Sequence, residues 1–279
     1  MTIIDSHVHL WDPAQFRYAW LDGLPTLNRA FLPMDFAMQT AGNAGKIIVV
    51  ESGCEPGQSL AEVDWITSLA KGEPRLKGIV AHATLEDGAR VLADLEKLSS
   101  RPLVKGIRRN LQGEQDENFC LRAEFVAGVN LLANFGYTFD VCVRHEQLKS
   151  VSELARRVPQ VTFVLDHLGK PDVRGKKFEP WTADFRALAT LPNVVCKLSG
   201  LTTEADWETW QASDLQFYLK QALDNFGWDR LLFGSDWPVM TLATTWKRWL
   251  TTVEELVSFA SCADRIKVFQ TNAERVYRV

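Results

Sequence analysis

Cysteine is scarce. The five cysteines of the 279-residue chain, Cys54, Cys120, Cys142, Cys196 and Cys262, are odd in number, scattered, and never in a C-x-x-C pair. That excludes a disulfide framework and points to a reducing cytoplasm, where a thiol inside an apolar run such as those around Cys142 and Cys196 serves as a small hydrophobe. Long apolar runs are missing too. None approaches the roughly 20 residues that cross a bilayer, so no membrane span is expected. Basic clusters do not grow beyond pairs such as Arg108-Arg109, Arg156-Arg157 and Lys176-Lys177, and the net charge is −4. A nucleic-acid partner is therefore not expected. The N-terminus lacks a basic stretch followed by an apolar one, so we expect no secretory signal. No linker, low-complexity tract or charge block divides the chain, and residues 1–279 read as one domain. The oligomeric state is left open. Apolar residues, by contrast, are plentiful at 46%, enough for a large core.

Short β-rich apolar runs recur at Thr2–Asp5, Lys46–Glu51, Leu76–Ala81, Leu103–Ile107, Thr138–Val143, Thr162–Asp166, Val194–Leu198 and Leu231–Gly234. Several, such as IIVV and LLF, are apolar at nearly every position, as strands buried on both faces must be. Segments with helical spacing lie between them: Ser59–Lys71, Gly88–Leu98, Cys120–Asn134, His145–Arg157, Trp207–Phe226 and Trp246–Phe259. This alternation predicts an α/β fold, a single (β/α)8 TIM barrel. Residues 11–45 are a long aromatic loop between strands 1 and 2, of a length that often forms a lid.

In such barrels chemistry sits at the C-terminal strand ends. His7 and His9 follow strand 1, one residue apart, a spacing that puts both on one side of an extended chain. Glu51 ends strand 2 and His82 follows strand 3. Arg108 and Arg109 follow strand 4, and Arg144 and His145 follow strand 5. Asp166 and His167 end strand 6, Lys197 and Ser199 lie on strand 7, and Asp236 follows strand 8. All five histidines of the chain thus fall at strand ends. Imidazole and carboxylate together suit a divalent ion such as zinc. A carboxylate beside them can take a proton from water, and arginine can grip a carboxylate or carbonyl. Ser235 lies in GSD, outside the elbow of a serine esterase. Water attack on an acyl carbon is the simplest reaction this set allows. Lys197, a charge late in a buried strand, needs a partner or a task. Trp11 and Trp237 each follow a candidate closely and are candidate pocket walls. Trp65, Trp228, Trp246 and Trp249 read as packing residues.

The stretches DSHVHLWDP, KGIRRNLQ, FVLDHLGKP, CKLSG and LLFGSDWP, in this order, resemble the amidohydrolase superfamily. The match is to its branch of sugar-acid lactonases, related to 2-pyrone-4,6-dicarboxylate lactonase, and runs from residue 3 to about 240. The resemblance implies a hydrolase opening a small lactone, with an aldonolactone as the leading substrate. Asp236 would be the general base that later protonates the leaving alkoxide. His7 and His9, with Asp236, would hold one divalent metal, zinc being favoured, or polarise the carbonyl without one. His167 would contact the carbonyl oxygen or orient water, and Arg108 with Arg109 would hold a substrate oxygen or carboxylate. Glu51, His82, His145 and Lys197 complete the substrate-binding candidates. Superfamily members with one metal usually add a histidine at the end of strand 5, and His145 is the candidate. No lysine at the ends of strands 4 or 5 suits a carboxylated bridge, so at most one metal is expected. The alternatives are a pyrone-dicarboxylate or muconolactone hydrolase, a metal-dependent decarboxylase on the same barrel, and a sugar-acid-binding barrel without catalysis.

Overall fold

The computed structural model describes residues 2–279. Eight strands form one sheet in chain order: β1 (Ile3–Val8), β2 (Ala44–Val50), β3 (Leu76–His82), β4 (Val104–Arg108), β5 (Thr138–Val141), β6 (Phe163–Leu165), β7 (Val194–Leu198) and β8 (Leu231–Phe233). Every neighbouring pair is parallel. The first and last strands then join. Val8 bridges to Trp237, Ser6 Oγ donates to the Phe233 carbonyl at 2.7 Å, and the Asp236 N–H donates to the His7 carbonyl at 2.8 Å. The result is the (β/α)8 barrel that the apolar pattern predicts.

The helices are α1 (Pro33–Thr40), α2 (Ser59–Leu69), α3 (Leu92–Ser99), α4 (Ala123–Leu131), α5 (Leu148–Arg157), α6 (Trp181–Ala189), α7 (Leu201–Glu204), α8 (Ala212–Phe226), α9 (Trp246–Leu256), α10 (Cys262–Ile266) and α11 (Asn272–Tyr277). Among the described residues, none is long and apolar enough to cross a membrane.

Of the departures from expectation, three have identifiable reasons. β1 extends past Asp5 to Val8, because polar Ser6 and His7 turn into a fully buried interior. The helix expected from Trp207 starts at Ala212, where the Asp214 carboxylate accepts from the Gln211 N–H at 2.9 Å. Residues 11–45 are not a bare loop. They contain α1, which opens with Pro33 and the Asp35 side chain accepting from the Leu32 N–H at 2.9 Å.

Side chains alternate along each strand, outward into the helical layer and inward to the barrel axis. Ile4, Ile48, Val50, Val80, Val164, Val195 and Leu232 fill the interior, with Ala273, Val276 and Tyr277 of α11 packed against them. Contacts from Lys46 to Glu274 and from Arg278 to the Lys105 carbonyl set α11 across the N-terminal end of the barrel. Above this apolar plug the interior turns polar. Arg108, Asp140, Asp166 and Lys197 are all buried there.

Candidate active site

The C-terminal strand ends bring three imidazoles onto one carboxylate. Asp236 Oδ1 lies 3.3 Å from His9 Nε2, 3.6 Å from His7 Nε2 and 3.9 Å from His167 Nε2. His7 and His9 present their Nε2 atoms 3.2 Å apart. Asp236 reaches this place through a left-handed backbone, φ 66°, which aspartate tolerates better than most residues. Beneath it, the buried Asp5 carboxylate accepts from the Ser235 N–H at 2.8 Å and from Trp246 Nε1 at 2.8 Å. Those bonds tie the end of β8 to β1.

His167 is presented by a strained corner. β6 stops at Leu165, and His167, Leu168, Gly169 and Lys170 all follow with positive φ. Each non-glycine residue in such a conformation costs about 1–3 kcal/mol, so the surroundings must over-determine it. Trp181 Nε1 donates to the Leu168 carbonyl at 2.9 Å, and His167 Nδ1 meets Ser199 Oγ at 2.8 Å. His9 is held from behind by Nδ1 against the Val50 carbonyl at 2.9 Å.

Arg108 enters the same cluster with its fork already taken. Its Nε donates to Glu51 Oε1 at 2.6 Å and its Nη2 to the Glu51 carbonyl at 2.6 Å. Nη1 stands 3.5 Å from His7 Nε2. Arg109 turns away and pairs with Glu86 and Glu114. Arg109 is thus fully committed, and Arg108 keeps only its Nη1 end toward the cluster, too little for a bidentate grip on a carboxylate. His145 is half-buried beside Glu146 and the Lys170 carbonyl, outside the histidine cluster. His82 ends β3 beside a cleft of about 310 Å³ that it lines with Ser59, Thr84, Asp94 and Lys97. Lys197 lies under the histidines, fully buried, and touches Asp140, Asp166 and His7. Trp11 and Trp237 are buried rather than exposed in a pocket. Trp11 Nε1 donates to the Arg29 carbonyl, and Trp237 packs edge-on against Phe31 and Phe36. They back the site from the loop side. Trp246 and Trp249 pack as the sequence indicates.

Two participants were missed in the sequence. Asp140 is a lone carboxylate inside the apolar run TFDV, and the argument that singled out Lys197 applies equally to it. Tyr277 gives no signal, because only the docking of α11 carries its hydroxyl to Asp140 at 2.6 Å.

Burial sets most protonation states here. It drives His7 well below the usual imidazole range and His167 to about 4, so both rings are neutral near pH 7. Burial works against the Asp236 carboxylate, but the surrounding histidines outweigh it and hold the group ionised, below the usual range. Glu51 is likewise held ionised, burial being outweighed by Arg108 and His82.

His7, His9 and Asp236 offer ligand atoms within 4.8 Å of one another, all on buried residues. Two imidazoles and a carboxylate match the donor set of a zinc ion that keeps a position open for water. The His9 Nδ1 contact to a backbone carbonyl is the outer support that ligating histidines normally have. The residues fit the metal.

Among the described residues, no hydroxyl or thiol in the cluster is free to act as a covalent nucleophile. Ser199 is fully buried and lies at His167 Nδ1, across the ring from the Nε2 that faces Asp236, Ser235 is held by the backbone of His7 and Trp237, and burial pushes the Cys142 thiol up to about 11. The remaining chemistry is attack by water, and the class of protein is a (β/α)8 hydrolase. The amidohydrolase family model matches residues 4–279, and the chain belongs to that family. An L-fucono-1,5-lactonase from Burkholderia multivorans is 37% identical over 287 residues, spanning 98% of this chain and 95% of its own. An L-fucono-1,5-lactonase from Burkholderia ambifaria is 30% identical over 282 residues, spanning 99% and 95%. The crystal structure of a Burkholderia multivorans amidohydrolase with bound zinc matches with a TM-score of 0.88 and 36% identity, over 100% of both chains.

Proposed function

We propose that the chain hydrolyses the ring ester of a small aldonolactone, with Asp236 as general base. The observation that carries this reading is the ionised Asp236 carboxylate set among His7, His9 and His167 in a buried site. The two relatives named L-fucono-1,5-lactonase support a sugar lactone as substrate. Asp236 takes a proton from water as the water oxygen attacks the ester carbon. Imidazole N–H groups and the Arg108 guanidinium face the developing oxyanion. When the ring C–O bond breaks, Asp236 returns its proton to the leaving alkoxide, and a hydroxy acid departs. Zinc held by His7, His9 and Asp236 would polarise the carbonyl and make bound water more acidic.

A specific observation ranks the alternatives. Pyrone-dicarboxylate hydrolysis needs cationic grips for two carboxylates, and Arg108 and Arg109 are already paired with Glu51, Glu86 and Glu114. The geometry favours a neutral, polyhydroxylated lactone. The five free thiols fit a reducing compartment, and we place the enzyme in the cytoplasm.

The test is proton release by purified protein, with and without chelator, on aldonolactones and on pyrone-dicarboxylate and muconolactone substrates. Rapid hydrolysis of an aldonolactone supports the reading. Hydrolysis of only the acidic lactones overturns the substrate class. Silence on all lactones, with zinc in the protein, redirects attention to decarboxylation.

A further inference from the structure

Among the described residues, His82 is the one histidine whose ring makes no hydrogen bond. The rings of His7, His9, His145 and His167 all do. His82 Nε2 is nonetheless buried, and it has no protein partner. Four residues on, Glu86 Oε2 is also buried without a partner, while its Oε1 takes Arg109 Nε. A buried nitrogen left unpaired costs stability, so its presence calls for a purpose. Burial lowers His82 below the usual imidazole range, with Glu51 opposing. The ring is therefore neutral near pH 7, with one nitrogen to donate and one to accept.

His82 stands at the rim, where the catalytic cluster meets an open cleft. It lies two residues beyond Val80, which fills the barrel interior, so it too faces inward. Its Cα pairs with that of Arg108 on β4, and Arg108 Nη1 stands 3.5 Å from His7 Nε2. On its other side His82 lines the cleft of about 310 Å³ between α2 and α3. Ser59 and Thr84 bring hydroxyls to this cleft, and Leu60 and Leu98 bring apolar surface. Asp94 and Lys97, both exposed, are paired with each other at 2.8 Å. The charges that act on the ring are paired as well, Glu51 with Arg108 and Glu86 with Arg109. No free charge is left to draw a charged ligand. Hydroxyls beside aliphatic carbon, with the charges cancelled, suit a neutral polyhydroxylated molecule, whose O–H groups need polar partners and whose C–H faces need apolar ones.

We propose that His82 is a specificity-determining residue of the lactone site, its Nε2 hydrogen-bonding a sugar hydroxyl remote from the ester. Strands β1, β2 and β3 are consecutive neighbours. At about 4.8 Å per strand spacing, His82 stands about 10 Å around the rim from β1, which carries His7. A six-carbon lactone with its ester carbon at Asp236 bridges that distance with its hydroxyls. A lactone without hydroxyls leaves Nε2 unpaired and is selected against. The inference rests on the lactonase reading for the ester end; the contact of His82 with a neutral sugar stands without it.

The experiment compares wild type, His82→Leu and His82→Gln on an aldonolactone that the wild type hydrolyses and on δ-valerolactone, an ester ring with no hydroxyls. The ratio of the two kcat/KM values should fall about tenfold in His82→Leu, the worth of one hydrogen bond, through KM rather than kcat. His82→Gln, whose amide can replace the ring nitrogen as a hydrogen-bonding group, should keep most of the ratio. Thermal melts of the ligand-free proteins separate this role from a structural one. Leucine removes a buried unpaired nitrogen, so His82→Leu should melt at or above the wild-type Tm. An unchanged ratio in His82→Leu overturns the proposal, and so does a Tm well below wild type or a failure to fold. If the wild type hydrolyses no lactone, the proposed function fails and the cleft is tested alone, with L-fucose and L-rhamnose as neutral probes. A rise in Tm with either sugar that His82→Leu lacks then supports the contact; equal shifts in both proteins, or none, overturn it.

Discussion

Replacing Gly200 with alanine should disable the site while leaving the barrel folded. Gly200 follows β7 with φ +66°, and an added Cβ would lie 2.5 Å from both Cγ and Nδ1 of His167. Carbon atoms pack best at about 3.5–4.0 Å, so the ring must retreat by about 1 Å. The left-handed conformation costs alanine about 1–2 kcal/mol. Stretching the 2.8 Å contact between His167 Nδ1 and Ser199 Oγ costs about 1 kcal/mol more. A total of about 2–3 kcal/mol is tolerable for a domain with about 5–15 kcal/mol of stability. It corresponds to a fall in Tm of roughly 4–12 °C, taking about 2–4 °C per kcal/mol at this size. Catalysis should suffer more, because a 1 Å misplacement at a reacting centre costs about 10²-fold. Thermal melts by circular dichroism and initial rates on the preferred lactone measure both effects. Ser199→Ala, which removes the hydrogen bond without the push, should be the milder variant. A folded Gly200→Ala protein with wild-type kcat would show that His167 placement does not matter and would refute the reasoning.

Three further outcomes follow from the geometry. Asp236→Asn should fold normally and lose about 10²–10⁴-fold in kcat, the usual worth of a general base; near-normal turnover would remove Asp236 from the mechanism. Arg108→Met strands the buried Glu51 carboxylate and should cost about 3–5 kcal/mol in urea unfolding, whereas Arg108→Met/Glu51→Gln should recover at least half of it; equal losses would mean that the pair is not coupled. Burial pushes the Glu62 carboxyl up to about 8, with Glu51 adding to the effect. That lies above its unfolded value of about 4.3, so its contribution to stability is whole below that pH and declines as pH rises to about 8. Glu62→Gln should flatten the loss of stability between pH 5 and pH 8, by up to a few kcal/mol; an unchanged pH slope would remove Glu62 as its source.

The positions of the candidate residues were largely readable because a parallel barrel leaves a plain record in sequence. Strands buried on both faces must be apolar runs, so IIVV, FVL and LLF mark them, and polar residues just past each run mark the chemical end of the barrel. His7, His9, His167 and Asp236 could be named that way. What each polar residue touches could not, since contacts across the barrel join residues far apart in the chain. Arg108 and Arg109 are adjacent in sequence, yet alternation sends one into the cluster with Glu51 and the other out to Glu86 and Glu114. Lys197 was a substrate-contact candidate in the sequence, and only the closed barrel shows that it sits beneath His7 with its ammonium on Asp140 and Asp166. Tyr277 joins that network only because α11 folds back across the N-terminal end of the barrel. Local pattern, set by burial period and chain geometry, determined the strands, the helices between them and the end that carries chemistry. Closure of the sheet, which alone decides which side chains face one another, determined the partners and, through burial, the protonation states on which the chemistry depends.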